Sequence, residues 1–495
     1  MVLAAYFIVP GRMAKNVWLL VASLFFYAWG EPVYVVLMVV SIVANWTFGL
    51  LVGSSNTPDV RRKAALALAV VFDVLVIGFF KYEGFVADNV NALVGFALVP
   101  DLDLPLPIGI SFYTLQALSY VIDVYRREVQ PQRNVLYLGM YIACFPQLIA
   151  GPIVRYQTIQ EQVAGRKETL ADFSSGLRLF IVGLSKKVLL ANTCAILAQA
   201  MLGMGGPSIG AVGAWGGLVA YTFQIFFDFS GYSDMAIGLG RMMGFKYLRN
   251  FNFPYISRSI TEFWRRWHIS LSTFFRDYIY IPLGGSRCSK ARNIFNIAVV
   301  WAVTGLWHGA AWNYILWGVY YGALLICEKY VWGRALARLP RVVQHLYTIA
   351  VFVFGWSFFW IIDPSQLVPY WQALAGMYGL TGTATFWELT VWEYWPVFIL
   401  CIAASTPICP WLKWRFLGWV EGRALGKFQD EGIVNPRVHQ ADSLCTFEAV
   451  PETPSKAKAY NVAAILYDVA LLALLVASVA SVISGSFNPF IYFQF

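Results

Sequence analysis

The sequence predicts an all-α integral membrane protein, and three observations carry that prediction. The first is composition: of 495 residues, 59% are hydrophobic and only 13% are Asp, Glu, Lys or Arg, against about 25% charged in soluble domains. So little charge does not cover a water-facing surface of this size; the mean hydropathy of +0.60 agrees. The second is a series of apolar runs near the roughly 20 residues that a bilayer-spanning helix needs. The third is charge placement. The net charge is +9, and its basic residues cluster at Arg61-Arg62-Lys63, Arg126-Arg127, Lys186-Lys187, Arg265-Arg266 and Arg287 with Lys290 and Arg292. Read as short connectors between apolar runs, these fit the positive-inside pattern of cytoplasmic loops. No RNA- or DNA-binding motif accompanies the charge, so nucleic acid is not a partner on this reading.

The apolar runs lie near 16–30, 33–53, 64–81, 106–124, 135–152, 174–200, 209–228, 293–306, 310–330, 344–363, 391–409 and 461–484. They predict roughly 11–12 transmembrane and re-entrant helices. Pro105 and Pro107 precede the fourth run, and Pro146 and Pro152 interrupt the fifth. Broken helices survive at membrane depth only where protein or a water-filled cavity covers the freed backbone groups, so some spans should enclose a cavity. Residues 1–105 read as plain N-terminal transmembrane helices. Residues 106–335 hold the unusual polar and aromatic residues. Residues 336–495 return to ordinary spans around a polar loop, 411–458. Arg61–Lys63, Lys329–Arg341 and Lys413–Lys427 should face the cytoplasm; an even number of spans separates the last two. Met1–Pro10 lacks a small-residue cleavage site and does not read as a signal peptide. There is no internal repeat of the transporter kind. The seven cysteines are scattered without a C-x-x-C pair, which argues against a disulfide framework or a metal site.

The chain has four histidines. His308 sits in the apolar run Val303-Thr304-Gly305-Leu306-Trp307-His308-Gly309-Ala310-Ala311-Trp312-Asn313, and an ionisable residue at membrane depth reads as functional by default. Burial favours the neutral imidazole, which can accept a proton. Gly305 and Gly309 leave room beside the ring, and in a continuous helix Thr304 and Trp312 share its face. The bland alternative is a histidine hydrogen-bonded to a neighbouring helix. His268 lies in Phe263-Trp264-Arg265-Arg266-Trp267-His268-Ile269-Ser270, an amphipathic stretch that reads as an interfacial or re-entrant helix. Simple anchoring competes there with a donor site in which Arg265, Arg266 and Arg276 meet phosphates. His345 and His439 read as solvated bystanders. In Phe226-Phe227-Asp228-Phe229-Ser230-Gly231-Tyr232-Ser233-Asp234, two carboxylates follow an apolar span. Buried carboxylates need partners, and Arg241, Arg258, Arg265 and Arg266 are the candidates for a network that shapes the cavity. No nucleophile elbow, Walker motif, H-E-x-x-H or dinucleotide fingerprint is present.

Several of these runs together resemble the membrane-bound O-acyltransferases, in their bacterial AlgI-like branch. They are Thr304-Gly305-Leu306-Trp307-His308-Gly309-Ala310, Phe145-Pro146-Gln147-Leu148-Ile149-Ala150-Gly151-Pro152-Ile153, Asp228-Phe229-Ser230-Gly231-Tyr232-Ser233-Asp234, the stretch around His268, and the ending Phe487-Asn488-Pro489-Phe490-Ile491-Tyr492-Phe493. The resemblance implies tilted helices around a central tunnel, with residues 106–335 as the catalytic core, His308 as the membrane-embedded catalytic histidine and His268 as a second one on the cytoplasmic side. Asp228, Asp234, Trp307 and Asn313 would shape the tunnel. It further implies a multi-pass protein of the cell inner membrane with no bound cofactor. Acetyl-CoA or another acyl thioester would be the donor, and an extracytoplasmic polysaccharide such as alginate, cellulose or peptidoglycan would receive acetyl through a periplasmic acetyltransferase partner. A D-alanyl group destined for teichoic acid is the alternative cargo. A transporter and a non-enzymatic scaffold subunit are the readings from other classes. One departure stands out: many relatives carry a further histidine late in the helix after His308, whereas Val319-Tyr320-Tyr321-Gly322 has none, so that residue is not essential here.

Overall fold

The computed structural model describes residues 1–54, 57–382, 392–422 and 452–485, so the predicted His439 and most of the polar loop lie outside the described residues. All regular structure among them is helical. Among the described residues, six helices are long and apolar enough to cross a membrane: Tyr34–Gly53, Asp59–Val94, Leu170–Met204, Gly206–Met242, Arg341–Trp360 and Pro454–Ser484. A seventh span arises if Trp395–Ala404 and Ile408–Val420, bent by 53°, are counted as one. The protein is a multi-pass membrane protein. Its contacts divide it into two compact units, Met1–Leu177 with Ala236–Leu248, and Arg178–Met235 with Arg249–Phe495.

The first unit is built from α1 (Val2–Ile8), α2 (Arg12–Gly30), α3 (Tyr34–Gly53), α4 (Asp59–Val94), α5 (Ile110–Tyr125), α6 (Val135–Ala143), α7 (Phe145–Leu148) and α8 (Tyr156–Gly165). The fifth apolar run is broken at Cys144, as its prolines require, because Pro146 occupies the start of α7 where its missing N–H costs nothing. A partly buried polar knot ties α2 to the chain after α8. Arg12 pairs with Glu168 at 2.5 Å, and Tyr6 contacts Glu168 and the carbonyl of Met243. Burial would raise the Glu168 carboxyl, but hydrogen bonds from Arg12 and Tyr6 outweigh it and hold the group at about 2.

In the second unit the helix that begins as α9 (Leu170–Ser185) continues through a π-helical turn, Lys186–Ala191, into α10 (Asn192–Met204). It crosses α11 (Gly206–Met242) so closely that a Cβ on Gly183 would sit 2.5 Å from the carbonyl oxygen of Gly231. That crossing brings Lys187 within 2.5 Å of Asp228 and Lys186 within 2.7 Å of Asp234. The two lysines are therefore not a connector, and each carboxylate has a lysine partner that the linear reading did not name. Arg241 instead meets Asp172, while Arg258 and Arg266 meet Glu262. The physical reason is that the lysines lie one helix crossing away from both carboxylates, a proximity that linear spacing hides.

Asp228 is buried, so Asp228→Leu strands Lys187 and costs about 3–5 kcal/mol. Asp228→Leu combined with Lys187→Met should recover most of that loss. Thermal unfolding in detergent checks this: the double variant should melt above the single one.

Candidate active site

The site is assembled from four stretches of the second unit. α12 (Ile260–Arg266) is capped by Ser259, whose hydroxyl accepts from the N–H of Glu262. A second anchor comes from Glu328, which opens another π-helical turn, Glu328–Trp332. Its carboxylate accepts from the N–H groups of Ile260 and Thr261, each at 2.8 Å, and from the Thr261 hydroxyl. The predicted amphipathic helix is not continuous. It breaks at His268, whose φ of 45° and ψ of 55° lie in the left-handed region, and resumes as α13 (Ile269–Phe275). A non-glycine residue held there carries strain of the kind that clusters at functional sites.

The break turns His268 inward. Its side chain is 2% exposed and lies edge-on to Phe229, with ring centroids 4.6 Å apart. Its Nδ1 is 3.1 Å from Asn250 Oδ1. Burial pushes the ring down to about 3, so it stays neutral.

α14 (Lys290–His308) ends at His308, and α15 (Trp312–Cys327) runs back against it. A Cβ on Gly305 would sit 2.6 Å from the carbonyl oxygen of Tyr314, and one on Gly318 would sit 2.6 Å from that of Trp301. The helices therefore meet backbone to backbone. The room predicted beside Gly309 is taken by the Tyr314 ring, which a Cβ there would strike. Because α14 stops at His308, Trp312 begins the next helix and does not share the histidine's face. The His308 ring is 7% exposed and stands edge-on to Trp307, Trp317 and Phe359, at 4.9, 5.0 and 5.2 Å between centroids.

Both histidines line one cavity of about 230 Å³. Its wall is aromatic and aliphatic, with Thr261, Ser272, Thr304 and Tyr280 as polar points, and the exposed Arg265 and Arg276 belong to its rim. A largely aromatic cavity lined by two imidazoles, with guanidinium groups at its edge, can bind a phosphate-bearing molecule and move a proton inside.

Comparison with known proteins decides the family. The family described as MBOAT, membrane-bound O-acyltransferase, matches residues 25–371. The chain belongs to this family. It is 37% identical over 498 residues to the probable alginate O-acetylase AlgI of Azotobacter vinelandii, covering 100% of this chain and 97% of that one. It is 38% identical over 514 residues to the protein of the same name from Pseudomonas aeruginosa, covering 98% and 96%. A peptidoglycan O-acetyltransferase of Helicobacter pylori is 35% identical over 415 residues, covering 77% of each chain. The protein is thus a membrane-bound O-acyltransferase of the AlgI-like branch.

In this O-acyltransferase, His308, His268, Arg265 and Arg276 come together on the cavity, while the other predicted site residues do not line it. Arg266 is buried and points the other way, bonded to Glu262 at 3.0 Å and to the Asn252 carbonyl at 2.9 Å. Trp307 packs between the two imidazoles, 6.2 Å from His268. Asn313 donates to the Phe358 carbonyl at 3.1 Å. Asp228 and Asp234 serve the lysine pairs. Arg276 is paired with the adjacent Asp277 at 2.7 Å. His345 is not a solvated bystander: half-buried, it reaches the Ser257 carbonyl at 3.1 Å. No group of three or more His, Cys, Asp or Glu side chains among the described residues is arranged to hold a metal ion. Sequence reasoning passed over Asn250 and Glu328. The signal for Asn250 was available, since Asn250-Phe251-Asn252-Phe253-Pro254 sets two amides among aromatics.

Neighbouring arginines should therefore respond differently to truncation. Arg266→Ala removes hydrogen bonds to a charged group, worth about 1.5–3 kcal/mol each, and should lower the melting temperature. Arg265→Ala should melt like wild type but weaken binding of a phosphate-bearing donor. Thermal unfolding and titration with CoA read the two effects separately.

Proposed function

We propose that this O-acyltransferase moves an acetyl group from a cytoplasmic thioester, acetyl-CoA, to a hydroxyl, for O-acetylation of an extracytoplasmic polysaccharide. The observation that carries this reading is the sharing of one aromatic cavity by His308 and His268, with Arg265 and Arg276 on its rim. The names of the relatives, alginate O-acetylases and a peptidoglycan O-acetyltransferase, support acetyl as the cargo and a polysaccharide as its destination.

On this reading the donor's phosphates meet Arg265 and Arg276, because a guanidinium fork suits phosphate oxygens. The thioester extends past His268 to His308. His308 takes the proton of the acceptor hydroxyl as the oxygen attacks the thioester carbonyl. The tetrahedral intermediate collapses, the C–S bond breaks, and the leaving thiolate takes that proton back from His308. Such a positioned base contributes about 10²–10⁴-fold; orientation of the two reactants in one cavity contributes further. The protein sits in the inner membrane, and a periplasmic acetyltransferase completes delivery to the polymer.

Acetyl-CoA turnover by protein reconstituted in lipid tests the reading. His308→Ala should reduce turnover to background while leaving the melting temperature close to wild type. Full activity in a folded His308→Ala protein would move the chemistry away from this histidine.

A further inference from the structure

Asn250 is fully buried and makes more hydrogen bonds around His268 than any packing role requires. Its Oδ1 accepts from the backbone N–H of Ser270 at 3.1 Å and from the Ser270 hydroxyl at 2.9 Å. Its Nδ2 donates to the Ser233 hydroxyl on α11 at 3.0 Å. Its carbonyl oxygen accepts from the N–H of Ile269 at 2.8 Å, bracing the residue that follows the histidine.

These contacts determine which way the amide faces. A backbone N–H only donates, so the atom that Ser270 N meets is the amide oxygen. The same oxygen is 3.1 Å from His268 Nδ1. An amide oxygen only accepts, so Nδ1 carries the proton. The Ser270 hydroxyl, 3.4 Å from Nδ1, gives its single hydrogen to Asn250 and can only accept from the ring. Both groups facing Nδ1 demand N–H there. A neutral imidazole with Nδ1 protonated has its lone pair on Nε2.

We infer that Asn250 is a positioning residue that fixes His268 as the Nδ1–H tautomer, so that the ring nitrogen at Nε2 is a hydrogen-bond acceptor, suited to a substrate group bearing N–H or O–H. Burial reinforces this by keeping the ring neutral. The assignment also excludes a role. A His268 held this way does not donate from Nε2 to a phosphate oxygen or to the thioester carbonyl, so anion recognition falls to Arg265 and Arg276. The tautomer follows from the geometry alone; the identity of the partner group rests on the acyl-transfer reading above. Two sources supply the required chemistry, the amide N–H groups along the donor's thiol-bearing arm and the acceptor hydroxyl.

Nitrogen-15 NMR of histidine-labelled protein in lipid tests the tautomer on the wild-type chain. Only four histidines are present, and the His268 signals are those lost in His268→Gln. The expected result is a protonated Nδ1 and an unprotonated Nε2. In Asn250→Asp, which keeps the acceptor oxygen towards the ring, replaces the Nδ2 donor and adds a negative charge, both nitrogens should be protonated. An Nε2–H tautomer in wild type, or a spectrum unmoved by Asn250→Asp, would overturn the inference whatever the fate of the acyl-transfer reading. CoA titration of His268→Gln and His268→Ala then separates the sources. If the donor's amide is the partner, Ala should weaken CoA binding about tenfold relative to wild type, the loss of one hydrogen bond, and Gln should restore part of it. If the acceptor hydroxyl is the partner, CoA binding should be unchanged and acetyl turnover should fall in Ala. Unchanged binding and unchanged turnover in His268→Ala would show that no substrate group meets this ring.

Discussion

At the crossing of α14 and α15 there is no space for a single extra carbon: Gly305 lies against the Tyr314 carbonyl and Gly318 against that of Trp301. Between helices in lipid the hydrophobic effect supplies no drive to associate, so close packing of small residues carries much of the attraction. Everything in the site follows from this contact. It brings Trp317 of α15 edge-on to the imidazole at the end of α14, and Phe359 of α16 (Arg341–Trp360) closes the far side. His308 is thereby walled by three aromatic rings and left open towards the cavity it shares with His268.

A second constraint, the need to match every buried polar group inside an apolar chain, organises what surrounds that crossing. Lys186 and Lys187 meet Asp234 and Asp228 at a π-helical turn. Glu328 begins another π-helical turn and holds the start of α12, from which Thr261, Trp264 and Arg265 reach the cavity. Asn250 holds the loop at His268. Such turns recur at functional sites because they re-aim side chains without ending the helix. Lys186, Lys187, Asp228, Asp234 and Glu328 engage one another or the backbone and are not among the residues that line the chamber. The groups that line it, two imidazoles and a few hydroxyls with guanidinium groups on the rim, are those suited to a substrate.

Much of this was legible in the sequence. The spans were, because a run of apolar residues near bilayer length has few other uses: the predicted runs 33–53 and 344–363 lie within a few residues of Tyr34–Gly53 and Arg341–Trp360, and 461–484 falls inside the longer Pro454–Ser484. His308 stood out because an ionisable side chain amid tryptophan and glycine has no cheap explanation, and its ring does line the cavity. Other features depend on the third dimension. Arg265 and Arg266 are adjacent in sequence, yet about 100° of helical rotation turns one to the rim and the other into Glu262. The glycine beside His308 signalled space, but Tyr314 from the following helix fills it. The left-handed break at His268 hides in a pattern that reads as one amphipathic helix, since His268 departs from helical geometry only with Asn250 to receive it.

The central claim is that one cavity, with His308 at its depth and Arg265 and Arg276 at its rim, receives the acyl donor. Cryo-electron microscopy of the protein with a non-hydrolysable acetyl-CoA analogue, in which the thioester sulfur is followed by a methylene group, tests it most directly. The account predicts density for the phosphates at the two arginines and for the acetyl carbonyl beside the His308 ring. An analogue bound elsewhere, with this chamber empty, would contradict it.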